Sequence, residues 1–447
     1  MMKRIVCALF FAMLASLALA AEAIQAKAGL PQAKWYVSQS TGKKKNAGDA
    51  PDAPLKGIEQ AIEKAAPGDV IYIAAGNYSG PMGQGWIEVN KPVILIGGFS
   101  PDFSTRDIAE FKTMMKPTNA MNETKPMDGS GTLTIRTDKD PDGVTVIDGF
   151  FFDQGDANSY HPEKGKPEGF ELGMWLQPPA KGNTQFPSID RYTLHFKSKG
   201  TLVIRNCVFL NGSNYALQGA HFEGKVQILN NVFINNRMVG CNVTSSNGKP
   251  FMVEVEFAYN TVLFTWSRNS EMTDMGYGVR ANTGVVTNIH HNVIGLSVMA
   301  GFDDTLGDPK NKKVSLDNNI FFLNKTADVT VTVSPNIKKM KVTDDSFEDL
   351  EDYPGIESCE DNESLADPKV FAGILDQKYL EAFLSASYSE QTDFDPNSPV
   401  NQFRSMFGMN QQGTITTKVS MFCNKYPDAD VMKLFGAIEG VGAQAVK

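Results

Sequence analysis

Asn206-Cys207-Val208-Phe209, Asn230-Asn231-Val232-Phe233, Asn260-Thr261-Val262-Leu263, His291-Asn292-Val293-Ile294 and Asn318-Asn319-Ile320-Phe321 are versions of one short phrase. Two polar positions are followed by an apolar one and then a bulky apolar one. Asp148-Gly149-Phe150-Phe151 is a looser, earlier copy. The first position advances by 24 residues (206 to 230), then 30 (230 to 260), 31 (260 to 291) and 27 (291 to 318). A period of this size signals stacked repeats. The intervals carry short runs with apolar residues at every second position, such as Val226-Gln227-Ile228-Leu229, and no helical period. About two dozen residues then make three short strands and three turns, one coil of a parallel β-helix.

The asparagine column has a physical use in such a coil. Asn tolerates the left-handed backbone of a sharp bend. Its amide can also bond to the amide one coil above or below, about 4.8 Å away. Asn206, Asn230, Asn260 and Asn318 are expected in one aligned stack, with His291 continuing it, and the bulky residue that follows points inward.

Working outward, residues 1–20 read as a signal peptide. Lys3 and Arg4 precede the apolar run Ile5–Leu19, and Ala18-Leu19-Ala20 is a small-residue cleavage site. A secreted protein is expected, in the periplasm, at the cell surface or outside the cell, with no transmembrane segment in the mature chain. Loss of Lys3 and Arg4 moves the net charge from -9 to -11. Residues 344–367 hold eleven acidic residues and no Lys or Arg, which reads as a solvated, poorly ordered connector. Nothing in the remainder has the basic surface that nucleic-acid binding needs. Four cysteines follow the signal, and Cys359 with Cys423 is the expected pair if they are oxidised. Otherwise they are buried thiols.

Residues 35–105 read as an amino-terminal cap and first coils. Leu55 to Ala66 carries a helical stripe behind Pro54, suited to covering the open end of a solenoid. Residues 106–200 are irregular coils with a long loop at 154–192, and 201–334 are the regular coils. Residues 335–447 break the period and form a partly helical closing tail.

WYVS (35–38), APLKGIEQAIEKAAPGDVIYIAAGNYSG (53–80), VILIGGFSPDFSTRD (93–107) and VTVIDGFFF (144–152) carry a resemblance. The first two look like the entry of pectate-lyase-like right-handed β-helix proteins. The others look like secreted bacterial β-helix proteins related to polymorphic outer-membrane proteins. The resemblance implies the fold and export, and leaves the activity open, because fold does not fix function.

In the resembling lyases the substrate lies along one strand face. The corresponding segments here are 193–198, 215–220, 239–244, 277–282 and 296–302. Phe196, Leu217, Cys241, Val279 and Val298 are expected inward. Lys197, Gln218, Asn242, Arg280 and Met299 then form an outward column suited to sugar acids. Gln218, Asn242 and Trp175 are the expected substrate-binding residues. Cleavage of a uronate polymer by β-elimination needs a base and cations beside the carboxylate. Arg280, Lys197 and His221 are the candidates for that chemistry. Asp303, Asp304 and Asp308 are candidate calcium ligands, and calcium is the one cofactor expected. The partner is an extracellular polysaccharide or cell-surface glycan, engaged by a monomer. A non-catalytic adhesin or structural β-helix needs only the rod and an exposed face, and a calcium-dependent polysaccharide lyase is the enzymatic alternative.

Overall fold

The protein is described by a computed structural model over residues 33–81, 85–116, 131–155, 192–212, 214–266, 275–341, 347–365, 368–387, 394–411 and 425–446. Its strands stack in parallel, coil on coil, into a right-handed parallel β-helix with three faces. The first face holds Ile87–Val89, Gly131–Thr137, Val239–Ser245, Tyr277–Ala281, Ala300–Asp304 and Ala327–Ser334. The second runs from Lys34–Val37 through Val70–Ala74, Ile94–Phe99 and Val144–Asp148 to Val253–Ala258, Val285–His290 and Lys313–Asp317. Two long strands, Tyr192–Arg205 and Leu217–Leu229, supply both faces and bend between them at Gly200 and Gly224. Gly224 has φ 108° and a Cβ there would lie 2.1 Å from the Gly200 carbonyl oxygen, so only glycine fits the bend. The third face includes Phe150–Asp153, Val208–Leu210, Val232–Arg237, Thr261–Trp266, Val293–Ser297 and Ile320–Phe322.

Two polar columns mark the corner before the third face, where one was expected. The left-handed position is taken by Asn206, Asn230, Tyr259, His291 and Asn318, with φ between 54° and 57°. The next position is a buried amide ladder. Asn231, Asn260, Asn292 and Asn319 each accept, at Oδ1, the backbone N–H of the residue one coil earlier. Each Nδ2 donates to a carbonyl oxygen of the preceding coil. The expected single stack is therefore corrected. Asn206, Asn230 and Asn318 share a column, but Asn260 sits one place on because Tyr259 takes the left-handed turn. His291 does not continue the ladder; it stacks on Tyr259 at 4.9 Å, and Asn292 carries the ladder.

Inside, Phe152, Phe209 and Phe233 stack with ring centroids 5.0 and 4.6 Å apart, and Val262, Ile294 and Phe321 continue that row in register. The amino-terminal end is closed by the helix Ile58–Lys64, shorter than its sequence stripe, with Ile58, Ala61 and Ile62 buried on the first coil.

The carboxy-terminal end differs from expectation. After an antiparallel hairpin, Ala327–Ser334 with Ile337–Lys341, the described part of the acidic run forms a last coil rather than a loose connector. Ile356–Ser358 pairs with Lys313–Asp317, and Glu363–Ser364 with Ile320–Phe322. Phe347, Leu350 and Cys359 enter the core, and Asn362 ends the ladder by accepting from the Asn319 N–H. Apolar residues at spaced positions decide the outcome, and the acidic side chains between them stay outside.

The tail covers the third face. Helix Gln377–Ser387 sets Phe383 5.0 Å from Phe264 and 4.6 Å from Trp266. Two asparagine side chains dock it by paired amide bonds: Asn211 to the backbone of Tyr426, and Asn230 to that of Gln444. Cys207, Cys241 and Cys359 are free and buried. Burial pushes the Cys207 and Cys359 thiols up to about 12, so they are inert at neutral pH. Cys423 lies outside the described residues. Among the described residues no helix is long and apolar enough to cross a membrane.

Candidate functional site

The first face presents its outward side chains in register. Glu88, Thr134, His195, Gln218, Asn242, Arg280, Asp303 and Thr330 stand opposite one another on successive strands. Inward of them run Leu133, Leu194, Leu217, Cys241, Val279, Phe302 and Val329, all buried. Alternation along each strand sorts the two sets.

Gln218, Asn242 and Arg280 therefore form the expected column, and the expected ends do not. Lys197 stands two residues further along its strand, opposite Arg136 and Ala220 and exposed. His195 takes its place in the row. Phe196 is inward as expected but lies opposite Gly219, where a Cβ would meet its ring at 2.4 Å. Met299 and Val298 are in the turn before the strand and pack against the third-face cluster. The left-handed bend at Leu296, φ 56°, puts the corner there, so Asp303 and Phe302 occupy the outward and inward positions.

Bonds link the row. Asn242 donates to Gln218 Oε1 at 2.6 Å, and Asn282 donates to Asn242 Oδ1 at 2.8 Å. Arg280 donates from Nε to Asp303 at 2.7 Å and lies 5.1 Å over the Tyr277 ring. Thr330 and Lys338, from the terminal hairpin, also bond Asp303. Burial opposes ionisation of Asp303, but Arg280 and Lys338 outweigh it and hold the carboxyl below its ordinary range. Tyr192, Tyr215 and Tyr277 are half-buried along the entering edge of the same strands.

His221 is not on this surface. It points inward, is fully buried, and bonds Ser198 Oγ at 2.8 Å and the Gly200 carbonyl at 3.2 Å. Burial lowers its imidazole to about 4. That is a structural histidine at the bend between two faces, which corrects its candidacy as an acid or base.

The three candidate calcium ligands do not combine. Asp303 is held as described. Asp304, on the other side of the strand, is buried against Lys312 at 2.6 Å and accepts the Thr332 N–H. Burial pushes its carboxyl up and the Lys312 amine down. Asp308 is exposed and caps the turn Pro309–Asn311 through the Lys310 N–H. Among the described residues no group of three or more His, Cys, Asp or Glu is placed to hold a metal ion. Trp175 lies outside the described residues.

His195 is the residue that the sequence reading missed. Its ring stacks on Tyr192 at 5.2 Å and 17°. Its Nδ1 is buried and makes no hydrogen bond. Burial, with Arg136 and Lys197 nearby, lowers the imidazole to about 4, so it is neutral at pH 7. A signal was available: Thr132-Leu133-Thr134-Ile135-Arg136-Thr137 and Thr193-Leu194-His195-Phe196-Lys197-Ser198 align type for type.

No family model matches the chain, and no curated protein sequence matches it. Solved structures do. A rhamnogalacturonan lyase is 13% identical with a TM-score of 0.36, over 68% of this chain and 78% of its own. The pectate lyase Pel9A is 14% identical with a TM-score of 0.33, over 66% and 71%. The pectin methylesterase PemA from Erwinia chrysanthemi is 12% identical with a TM-score of 0.29, over 74% and 93%. The likeness is one of fold, and what the first face can do rests on this chain's own residues.

Proposed function

We propose that the protein is an exported β-helix that binds extracellular polysaccharide along its first face. The supporting observation is the hydrogen-bonded line of Gln218, Asn242 and Asn282, with half-buried tyrosines on one side and Arg280 in the same row. Side-chain amides both donate and accept, which suits the hydroxyls of a sugar. Tyrosine offers a flat apolar face with a polar tip. A repeat every coil matches a polymer, which presents the same groups again and again.

Binding is the reading that these residues favour over cleavage. Arg280 is tied to Asp303, and His221 is sealed in the core, so neither is poised as a base. Calcium-dependent lysis remains a measurable alternative. A panel of polysaccharides, titrated with and without calcium and followed for new double bonds, separates the two. Binding without a rise in absorbance is expected. Calcium-dependent double-bond formation would replace this reading with the lyase, and no binding to any polymer would remove it.

A further inference from the structure

Among the described residues four side-chain polar atoms on the first-face strands are buried without a partner; two are the hydroxyls of Thr137 and Thr193, and the other two are ring and guanidinium nitrogens that are neighbours. His195 Nδ1 is one, and Arg136 Nε is the other. Thr134 lies opposite His195 and Arg136 opposite Lys197, so Arg136 and His195 are diagonal neighbours on adjacent strands. Buried polar groups in folded proteins are nearly always hydrogen-bonded, so a pair of exceptions calls for an explanation. A ligand that completes both is one.

The surroundings say what kind. Among the described residues Arg136 has one acid near it, Glu88, at 3.6 Å, too long for a hydrogen bond, and both side chains are partly exposed. Lys197 stands beside it, exposed. Among the described residues the local charge is Arg136 and Lys197 against Glu88, a surplus of one positive charge. At the other end of the row, Arg280 and Lys338 are both committed to Asp303. An anionic group is therefore favoured at one end only. The imidazole cannot take over that role, because it is neutral and its plane is fixed by the Tyr192 stack.

We propose that this end of the row is a subsite for an acidic sugar unit. Arg136 and Lys197 meet its anionic substituent, and His195 Nδ1 bonds one of its hydroxyls. The inference rests on the polysaccharide reading and adds the charge of the ligand and the residues that read it. A carboxylate and a sulfate ester share the required chemistry, since guanidinium and ammonium groups bond either through charge-assisted contacts.

The full chain is titrated calorimetrically with two matched pairs. Polygalacturonate is compared with its methyl-esterified form, and dextran sulfate with dextran. Wild type is expected to bind one acidic member about tenfold more tightly than its neutral partner, and the pair that responds identifies the substituent. Arg136→Gln should erase most of that preference, because it costs the acidic member far more affinity than the neutral one. Lys197→Gln, at an exposed position that tolerates change, should reduce it about threefold. Asn242→Ala should weaken both members of a pair equally. Equal affinity for acidic and neutral members in wild type overturns the subsite while the polysaccharide reading stands. So does an acid preference that survives both Arg136→Gln and Lys197→Gln. Binding to none of the four polymers overturns subsite and reading together.

Discussion

Two rows of amides run along this solenoid, and their environments differ. At the corner, Asn231, Asn260, Asn292 and Asn319 are buried, and every one receives a backbone N–H and returns a bond to a carbonyl. On the first face, Gln218, Asn242 and Asn282 bond one another in a line that is partly open to solvent, and the row ends at His195 with an unsatisfied nitrogen. The same functional group serves as mortar where the neighbouring coil meets all its valences, and is free to meet a ligand, as proposed above, where it does not. An asparagine column by itself does not say which; the register does.

The comparison breaks most visibly in stability. Asn260→Ala strands the Asn231 N–H and the Ile228 carbonyl inside the protein. Each buried unmet group costs about 1–3 kcal/mol, so a loss of about 4 kcal/mol is expected in urea unfolding. Similar losses for Asn260→Ala and Asn242→Ala would mean that the two rows are not distinct.

Next in size is the charge sealed beneath the open row. Lys312 and Asp304 are buried together. Lys312→Met leaves a buried carboxyl without its cation, and a loss of about 3 kcal/mol is expected from the unfolding midpoint. The variant should recover part of that loss at low pH, where Asp304 is protonated. A neutral result would place Lys312 in water.

The histidine buried at the bend sharpens the contrast through pH. His221 titrates near 6.5 when unfolded and is lowered to about 4 in the fold. The unfolded chain therefore takes up the proton first. Stability is full above about pH 6.5, falls as pH drops from there to about 4 and levels off below, a loss of about 3 kcal/mol in all at ~1.4 kcal/mol per unit. His221→Gln should flatten that limb of the stability curve. An unchanged limb would show that His221 is already solvated.

The smallest effect belongs to the open row. Asn242→Ala removes only side-chain contacts that water can replace, so under about 1 kcal/mol is expected, alongside weakened polysaccharide binding. A large stability loss without a binding change would make the row structural.

Much of this was legible in the chain. Repeated Asn followed by Val-Phe encodes a bend and a stacked core residue, and Phe209 over Phe233 follows from it. What slipped was register, by one residue at Asn260, two at Lys197 and four at Met299. Tyr259 in a left-handed turn hides the Asn260 position, because aromatic residues rarely adopt it. Residues 156–191 precede Thr193, so no continuous period fixes where that strand starts, and Lys197 was read for His195. Leu296 hides the last corner in the same way as Tyr259. Fates of single side chains were the least legible: alternation from Leu217 put Gln218 outward, but nothing in Ala216–His221 tells that the strand runs on far enough to turn His221 inward, until the strand pairing on either side is known.

Register can be tested directly by oxidative cross-linking, since opposed Cα atoms in adjacent parallel strands lie within disulfide reach. The double variant His195→Cys/Gln218→Cys is compared with Lys197→Cys/Gln218→Cys in the full chain, with peptide mapping to exclude the native cysteines. The structure predicts rapid, near-complete linkage in the first and little in the second. Efficient linkage of Lys197→Cys/Gln218→Cys, with none from His195→Cys/Gln218→Cys, would shift the row by two residues and take the proposed subsite with it.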